Sequence, residues 1–467
     1  MAEWGLPPLE EINDLGERLT GYWRIHGRHT RTKTRDTSQY GYHYISGLLR
    51  MPGQRTISNI ARMTGAEKQN MQQYISDSTW EGQDLIRSVR TAIELRGEFQ
   101  EGSVLLLDES ADEKAGPESA GAGRQHNGRL GKVEMSQVGV FLSLAKDGYH
   151  TWIDGELFLP QKWFKPEYHH KRDRVGIPTD RCFQTKLELG LKMIWRVQAE
   201  EIAFEAVDCD TLYGRSGWFR DELAAEEIEY YADVPENTFV YLSEPQVAWP
   251  LTKRGKEAKK PRITGTRYHV QDLRDHPETV WYELTLRPNE RGFLTAAFAR
   301  RRVWTVRPDG SVCREWLLIR QDKKRVTYVL SNAPYDCSLV TMAIRKSQRY
   351  FIERSNQDAK SELGFDEFQA LKYRAWEHHL ALTIAASWFI TETRLDWAAE
   401  HEADPALLAH YEIDVLPALS MANVREMLRA ALPLPTLSTE QAAALVLEHL
   451  DNRLRSRRSR LKKAHSP

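Results

Sequence analysis

At 467 residues the chain is longer than one hydrophobic core usually organises, so two or three domains are expected. Apolar residues make up 41% and charged residues 28%, which excludes a disordered polyelectrolyte and fits a protein that buries a proper core. No apolar run is long enough to span a bilayer, and Met1 to Thr20 carries Glu3, Glu10, Glu11 and Asp14 where a leader peptide would be basic and then apolar. A cytoplasmic protein is expected.

Cys182, Cys209, Cys313 and Cys337 are scattered, which suggests neither a zinc knuckle nor a disulfide framework. The formal net charge of -1 does not advertise a nucleic-acid binder, but the charge is segregated. Arg18, Arg24, Arg28, Arg31, Lys33, Arg35, Arg50, Arg55 and Arg62 face a single nearby acid, Asp36. Two further clusters follow, at Lys253, Arg254, Lys256, Lys259, Lys260 and Arg262, and at Arg453, Arg455, Arg457, Arg458, Arg460, Lys462 and Lys463. One such run is often only a solvated face; three in a neutral chain read as separate contacts to a phosphate backbone.

From about Leu9 to Arg96 the pattern is helical, with Leu15, Leu19 and Trp23 at four-residue steps. Ile57, Ile60 and Ala61, then Gly65, then Met71, Tyr74 and Ile75 predict two short amphipathic helices broken at a glycine. That is equally the pattern of a DNA-reading helix-turn-helix and of an ordinary helical hairpin. At Gly102 the texture changes. Ser103-Val-Leu-Leu-Leu-Asp-Glu is a continuous apolar run of the kind found in strands covered on both faces, and it ends in a carboxylate. Runs from Val138 and from His150 follow across a Lys146-Asp-Gly turn, giving an antiparallel meander. A helix from Thr185 to Gln198 leads to a fourth strand, Ile202 to Asp210, so the order is that of an α/β fold with a mixed sheet.

From about Asp233 to Asn332 β-branched and aromatic residues alternate, as in the stretches from Val280 and from Arg325, behind a lysine-rich loop expected to be mobile. Helices are expected from Ser338 onward, and the tail after Arg453 is expected to be disordered until it meets a partner.

Three carboxylates stand out by position. Asp108 ends the first strand, Asp210 follows the strand after the first core helix, and Glu353 lies on a helix predicted over Arg345 to Lys360. Arg349 is four residues before Glu353, Lys360 seven after and Lys346 seven before, so all four share one face of such a helix. A carboxylate flanked by cations suits a place where metal ions meet phosphates, and hard Mg²⁺ needs only a few carboxylates besides water and substrate oxygens.

The stretches from Asp108 to Gly116 and from Gly123 to Phe141 resemble the first catalytic block of bacterial insertion-sequence DDE transposases. Trp152-Ile-Asp-Gly-Glu-Leu-Phe-Leu, Val175-Gly-Ile-Pro, Phe183-Gln-Thr-Lys, Asp210-Thr-Leu-Tyr-Gly and the stretch from Ile352 to Asp366 resemble later blocks. The branch most similar is insertion-sequence group seven hundred and one, related to group four, over roughly Arg35 to Ile390.

That resemblance implies a ribonuclease-H-like mixed-sheet core interrupted by a β-rich insertion. The implied organisation is a helical N-terminal DNA-binding domain over 1–100, the first part of the core over 101–232, the insertion over 233–315, the second part of the core over 316–375, and a helical C-terminal region with a basic tail over 376–467. It implies cut-and-paste transposition: hydrolysis at the terminal inverted repeats, commonly through a hairpin, then attack of the 3′-hydroxyl on target DNA. It also implies that Asp108, Asp210 and Glu353 take the triad roles and hold two Mg²⁺ ions, with Mn²⁺ substituting, roughly 3.5 to 4 Å apart. Arg349 and Lys360 match the signature cations of the glutamate helix, whereas the tyrosine expected three residues before Arg349 is Lys346.

Arg349, Lys360, Lys346, Arg31, Lys33, Arg35, Lys253, Arg254, Lys259 and Lys260 are the expected DNA contacts. The expected state is a homodimer on double-stranded DNA, nucleoid-associated in a bacterium and away from membranes. Asp208 competes with Asp210 for the second role, but the Asp-x-x-Tyr-Gly spacing favours Asp210. Asp112 and Asp154 read as structural. Trp304 and Trp316 are candidates for stacking on a flipped base, although tryptophans of a β domain are more often core. The contrasting reading is a host-adopted, transposase-derived DNA-binding regulator; the intact acid set argues against it.

Overall fold

The structure, a computed structural model, describes residues 9–127, 131–251, 258, 260–289, 292–322, 325–405, 408–409 and 418–464. The lysine-rich stretch holding Lys253, Arg254, Lys256 and Lys259 falls outside them; Lys260 is described and exposed.

Five helices open the chain: α1 (Leu9–His26), α2 (Ser38–Arg50), α3 (Ile57–Thr64), α4 (Lys68–Ser76) and α5 (Gly82–Glu94). The break between α3 and α4 has a local cause. Gly65 sits at φ 76°, the left-handed conformation that closes a helix cheaply only without a Cβ. On either side Thr56 caps α3 through the Asn59 amide and Glu67 caps α4 through the Asn70 amide.

The core begins with β1 (Val104–Glu113), β2 (Gly123–Asn127), β3 (Lys132–Lys146) and β4 (Tyr149–Phe158), then α6 (His169–Val175), α7 (Lys186–Ala199), β5 (Ala206–Cys209), α8 (Thr211–Gly214), α9 (Gly217–Ala225) and β6 (Tyr230–Val234). A capping box at Thr185 and Glu188 starts α7. β4, β3 and β1 pair antiparallel in succession; β1 pairs parallel with β5, and β5 parallel with β6. This mixed sheet, with helices between and after its parallel strands, is ribonuclease-H-like.

The β-rich segment does not form a sheet of its own. Its strands are β7 (Phe239–Tyr241), β8 (Gln246–Ala248), β9 (Arg262–Thr264), β10 (Arg267–His269), β11 (Tyr282–Asn289), β12 (Gly292–Val306), β13 (Val312–Gln321) and β14 (Val326–Ser331). β14 pairs antiparallel with β6, and β13, β12 and β11 continue outward, so one twelve-stranded sheet runs through both parts; β8 and β9 form a separate ribbon.

The chain closes with α10 (Leu339–Ser347), α11 (Tyr350–Ser361), α12 (Tyr373–His401), α13 (Met421–Ala431) and α14 (Thr439–Ala464). Two expectations are corrected here. The helix predicted over Arg345 to Lys360 is two helices, broken between Ser347 and Tyr350. The tail after Arg453 is helical to Ala464, as the last part of a helix in which Leu447, Leu450 and Leu454 recur at helical spacing.

Side chains alternate across β1. Leu105 and Leu107 join the large apolar cluster that also contains α7, α9, α12 and the N-terminal helices, whereas Val104 and Leu106 join the cluster under α10 and α11. α12 is buried along most of its length and ties the N-terminal helices to β4. No helix of the described residues is long and apolar enough to cross a membrane.

Between α5, β4, α7 and α12 lies a cavity of about 380 Å³, lined by Glu156, Arg181, Lys192, Arg196 and Glu377 among others. Burial first, and then the neighbouring Glu156 carboxylate, raise the pKa of Glu377 from 4.5 to about 7. In the fold Glu377 therefore keeps its proton where the unfolded chain has released it, so its contribution is fully present below pH 4.5 and is lost as pH rises to about 7. Glu377→Gln is expected to flatten this slope and to be more stable than the parent at pH 8 by about 2 kcal/mol, checked by urea unfolding at pH 5 and pH 8.

Candidate active site

Strand parity places the first two acids. Asp108 follows Val104 and Leu106 on the face of β1 covered by α10 and α11, and Asp208 and Asp210 follow Ala206 on the same face of the neighbouring parallel strand. Depth separates the latter two. Asp208 is fully buried, and its Oδ1 lies 2.8 Å from Lys346 Nζ. Asp210 stands at the strand exit, where its Oδ1 accepts from the Leu212 amide at 2.8 Å and caps α8.

Asp108, Asp210 and Glu353 line one cleft of about 900 Å³, together with Glu109, Asn356, Lys360 and Arg55. Burial raises the pKa of Asp108, with Arg349 opposing it; burial and then Asp108 raise that of Asp210. With Glu109 disfavouring the Asp108 charge and Asp108 that of Asp210, the floor of the cleft is short of positive charge. Arg349 supplies part of it, with Nη2 3.2 Å from Asp108 Oδ2, and its Nε and Nη1 are buried with no hydrogen-bond partner among the described residues.

Glu353 is exposed in the first turn of α11. The three acids share a cleft without closing on one point: among the described residues no group of three or more His, Cys, Asp or Glu side chains is placed to hold an ion. The donor chemistry nevertheless fits a hard divalent cation, being all carboxylate oxygen beside two aspartates whose charges burial and proximity oppose.

α11 is held firmly. Trp152 stacks on Phe141 with ring centroids 4.1 Å apart and donates from Nε1 to Asn356 Oδ1 at 3.0 Å; His150 Nδ1 lies 2.9 Å from Ser355 Oγ. Lys360 Nζ donates to the Ala111 carbonyl at 2.8 Å and pairs with Asp112 Oδ1 at 2.7 Å. These contacts fix the helix that carries Glu353 against β1 and β4, and they give the Trp152 block a physical role that spacing alone did not reveal.

The glycine of Asp210-Thr-Leu-Tyr-Gly is also explained. A Cβ on Gly214 would stand 2.0 Å from the Asp233 carbonyl oxygen, so only hydrogen fits where α8 crosses β6. Gly214→Ala is expected to push the β5–α8 turn outward and cost about 2 kcal/mol or more, measured by thermal unfolding, with Asp210 displaced.

Lys346 is corrected. It lies on α10, not on the helix of Glu353, and is buried with Nζ 2.8 Å from Asp208 and 2.7 Å from Asp233. Burial opposes its charge, but the two carboxylates outweigh burial and hold its pKa above the ordinary lysine value. It is 2% exposed.

Within the N-terminal basic cluster, Arg31, Lys33 and Arg35 are exposed, with Arg31 paired to Asp36 at 3.0 Å. Arg55 is instead buried, donating to the Glu362 carbonyl at 2.9 Å and pairing with Glu367 at 3.2 Å. Asp154 is buried between Arg90 and Arg196. Trp316 is buried and Trp304 half-buried in the outer sheet, and neither lines the cleft.

The sheet is mixed and ribonuclease-H-like, with two acids on adjacent central strands and a third on an adjoining helix. The chain belongs to the DDE superfamily endonuclease family, whose model matches residues 26–302. The match ends before Glu353. A curated relative, described as "Probable transposase for insertion sequence element IS701" from Microchaete diplosiphon, is 25% identical over 190 residues, 40% of this chain and 46% of the relative. The aligned part is thus under half the length of that relative.

Proposed function

We propose that the chain is an insertion-sequence transposase that binds element ends, cuts the phosphodiester backbone and joins the 3′ ends to target DNA. The observation that carries this reading is the placement of Asp108 and Asp210 on one face of adjacent strands, with Glu353 on α11 across the same cleft.

Asp108, Asp210 and Glu353 would hold divalent ions, Mg²⁺ or Mn²⁺. Such ions supply Lewis acidity at the scissile phosphate and lower the pKa of the attacking water or 3′-hydroxyl. Asp108 is oriented by Arg349 and Asp210 by its cap to α8. Arg349 Nε and Nη1, lacking protein acceptors, suit the oxygens of an entering phosphate. Lys360 keeps α11 seated on β1 and faces the cleft, while Arg31, Lys33, Arg35 and Lys260 offer exposed charge for the flanking duplex. Pairing of two element ends calls for a homodimer on DNA.

The test is incubation of purified protein with Mg²⁺ and a duplex carrying the inverted repeats that flank its gene. Cleavage at the repeat followed by joining to a target plasmid is expected. Cutting without joining would reduce the protein to a nuclease, and binding without cutting would favour the adopted regulator.

A further inference from the structure

On β12 and β13 a second arrangement lies apart from the cleft. The strands pair Arg302 with Trp316 and Trp304 with Arg314, so guanidinium and indole alternate both along and across the ladder. The guanidinium carbons of Arg300 and Arg302 stand 4.5 Å and 4.6 Å from the Trp316 ring centre, and that of Arg314 5.4 Å from Trp304. Tyr335, 72% exposed, stacks beside Trp316 at 6.1 Å and continues the row outward.

Three features separate this from a solvated basic face. Among the described residues no carboxylate lies within ion-pair distance of Arg300, Arg302 or Arg314, although the carboxylates of this protein are widely paired elsewhere. Arg302 Nε and Nη1 are buried with no acceptor among the described residues. Burial first, and then the nearby Arg314 charge, push the Arg302 pKa down, so two un-neutralised guanidiniums are held close together on aromatic surfaces. Buried donors without acceptors are costly unless a ligand supplies them. Stacking on indole spends only the faces of a guanidinium and leaves its edge donors for an anion, except that Arg300 Nη1 already donates to the Cys337 carbonyl.

We propose that the Arg300–Arg302–Arg314 row, backed by Trp304 and Trp316, is a DNA-backbone site on the outer sheet, contacting successive phosphates of a duplex. Same-face residues on a strand repeat at about 6.8 Å, which suits an anion of repeating charge better than a single phosphate. Trp316 takes no base here: it is only 7% exposed and has two guanidiniums over it. The proposal rests on the DNA-acting reading above and extends it to a surface outside the cleft.

The experiment measures binding of a generic 30-base-pair duplex by fluorescence anisotropy across a salt series, in metal-free buffer, for the full chain, for R302Q/R314Q and for R302K/R314K. The double variant should lose about tenfold in affinity, and its salt slope should fall by about 1.8, which is 0.9 for each lost phosphate contact. R302K/R314K, which retains charge and guards against misfolding, should keep the slope and lose only part of the affinity. Unchanged slope and affinity in a folded R302Q/R314Q overturn the site and leave the transposase reading standing. No duplex binding by the parent overturns both, and preferential capture of an acidic peptide such as poly-glutamate overturns the assignment of DNA as the ligand.

Discussion

Asp108→Asn should abolish cleavage of element-end DNA, by a thousandfold or more, while leaving DNA affinity and the unfolding midpoint close to those of the parent. The amide keeps the size of the side chain and one oxygen, but it removes the charge that would balance a divalent ion. Loss of several kcal/mol of stabilisation at the reacting phosphate corresponds to about three orders of magnitude in rate. Stability should change little, because burial disfavours the Asp108 charge and the substitution relieves that penalty while weakening only the contact to Arg349. Single-turnover cleavage of end-labelled duplex and anisotropy in the same buffer measure the two quantities. Parental cleavage rates in the variant would sink the assignment of Asp108.

The second large effect concerns stability. Lys346→Met removes the cation lodged between Asp208 and Asp233 and leaves both carboxylates facing each other on adjacent parallel strands. Breaking a buried pair by deleting one partner typically costs about 3–5 kcal/mol. Urea unfolding should show a loss of that size, and combining Lys346→Met with Asp208→Asn should recover part of it. A neutral Lys346→Met would mean that the pair contributes nothing to holding α10 on the sheet. Cleavage by this variant should fall as well, since α10 leads directly into Arg349 and α11.

Much of the core could be read in the chain. The apolar run ending at Asp108, the three-strand meander, the helix after Thr185 and the strand before Asp210 all follow from period and turn chemistry, and all were observed. The preference for Asp210 over Asp208 as the cleft acid rested on motif spacing; the physical distinction, depth along β5, needs the neighbouring helix to be seen. The break at Gln348 and Arg349 was hidden because neither glycine nor proline marks it. It accompanies Lys346 reaching inward to two acids while Arg349 turns to Asp108. Arg55 looked like one more surface cation, because its partner Glu367 lies 312 residues away. The outer arginine–tryptophan row is illegible in the chain for a similar reason: only the β12–β13 register puts the tryptophans beside arginines.

The unbroken backbone ladder from β6 through β14 to β12 has a mechanical consequence. A plank of hydrogen-bonded strands cannot swing like a hinged arm, so a load taken by its far end arrives at β5 and the base of Asp210 with little slack. On the reading proposed above, with the sheet stiff and α11 pinned to β1 and β4, an adjustment that brings Glu353 toward the aspartates would come from its own exposed side chain.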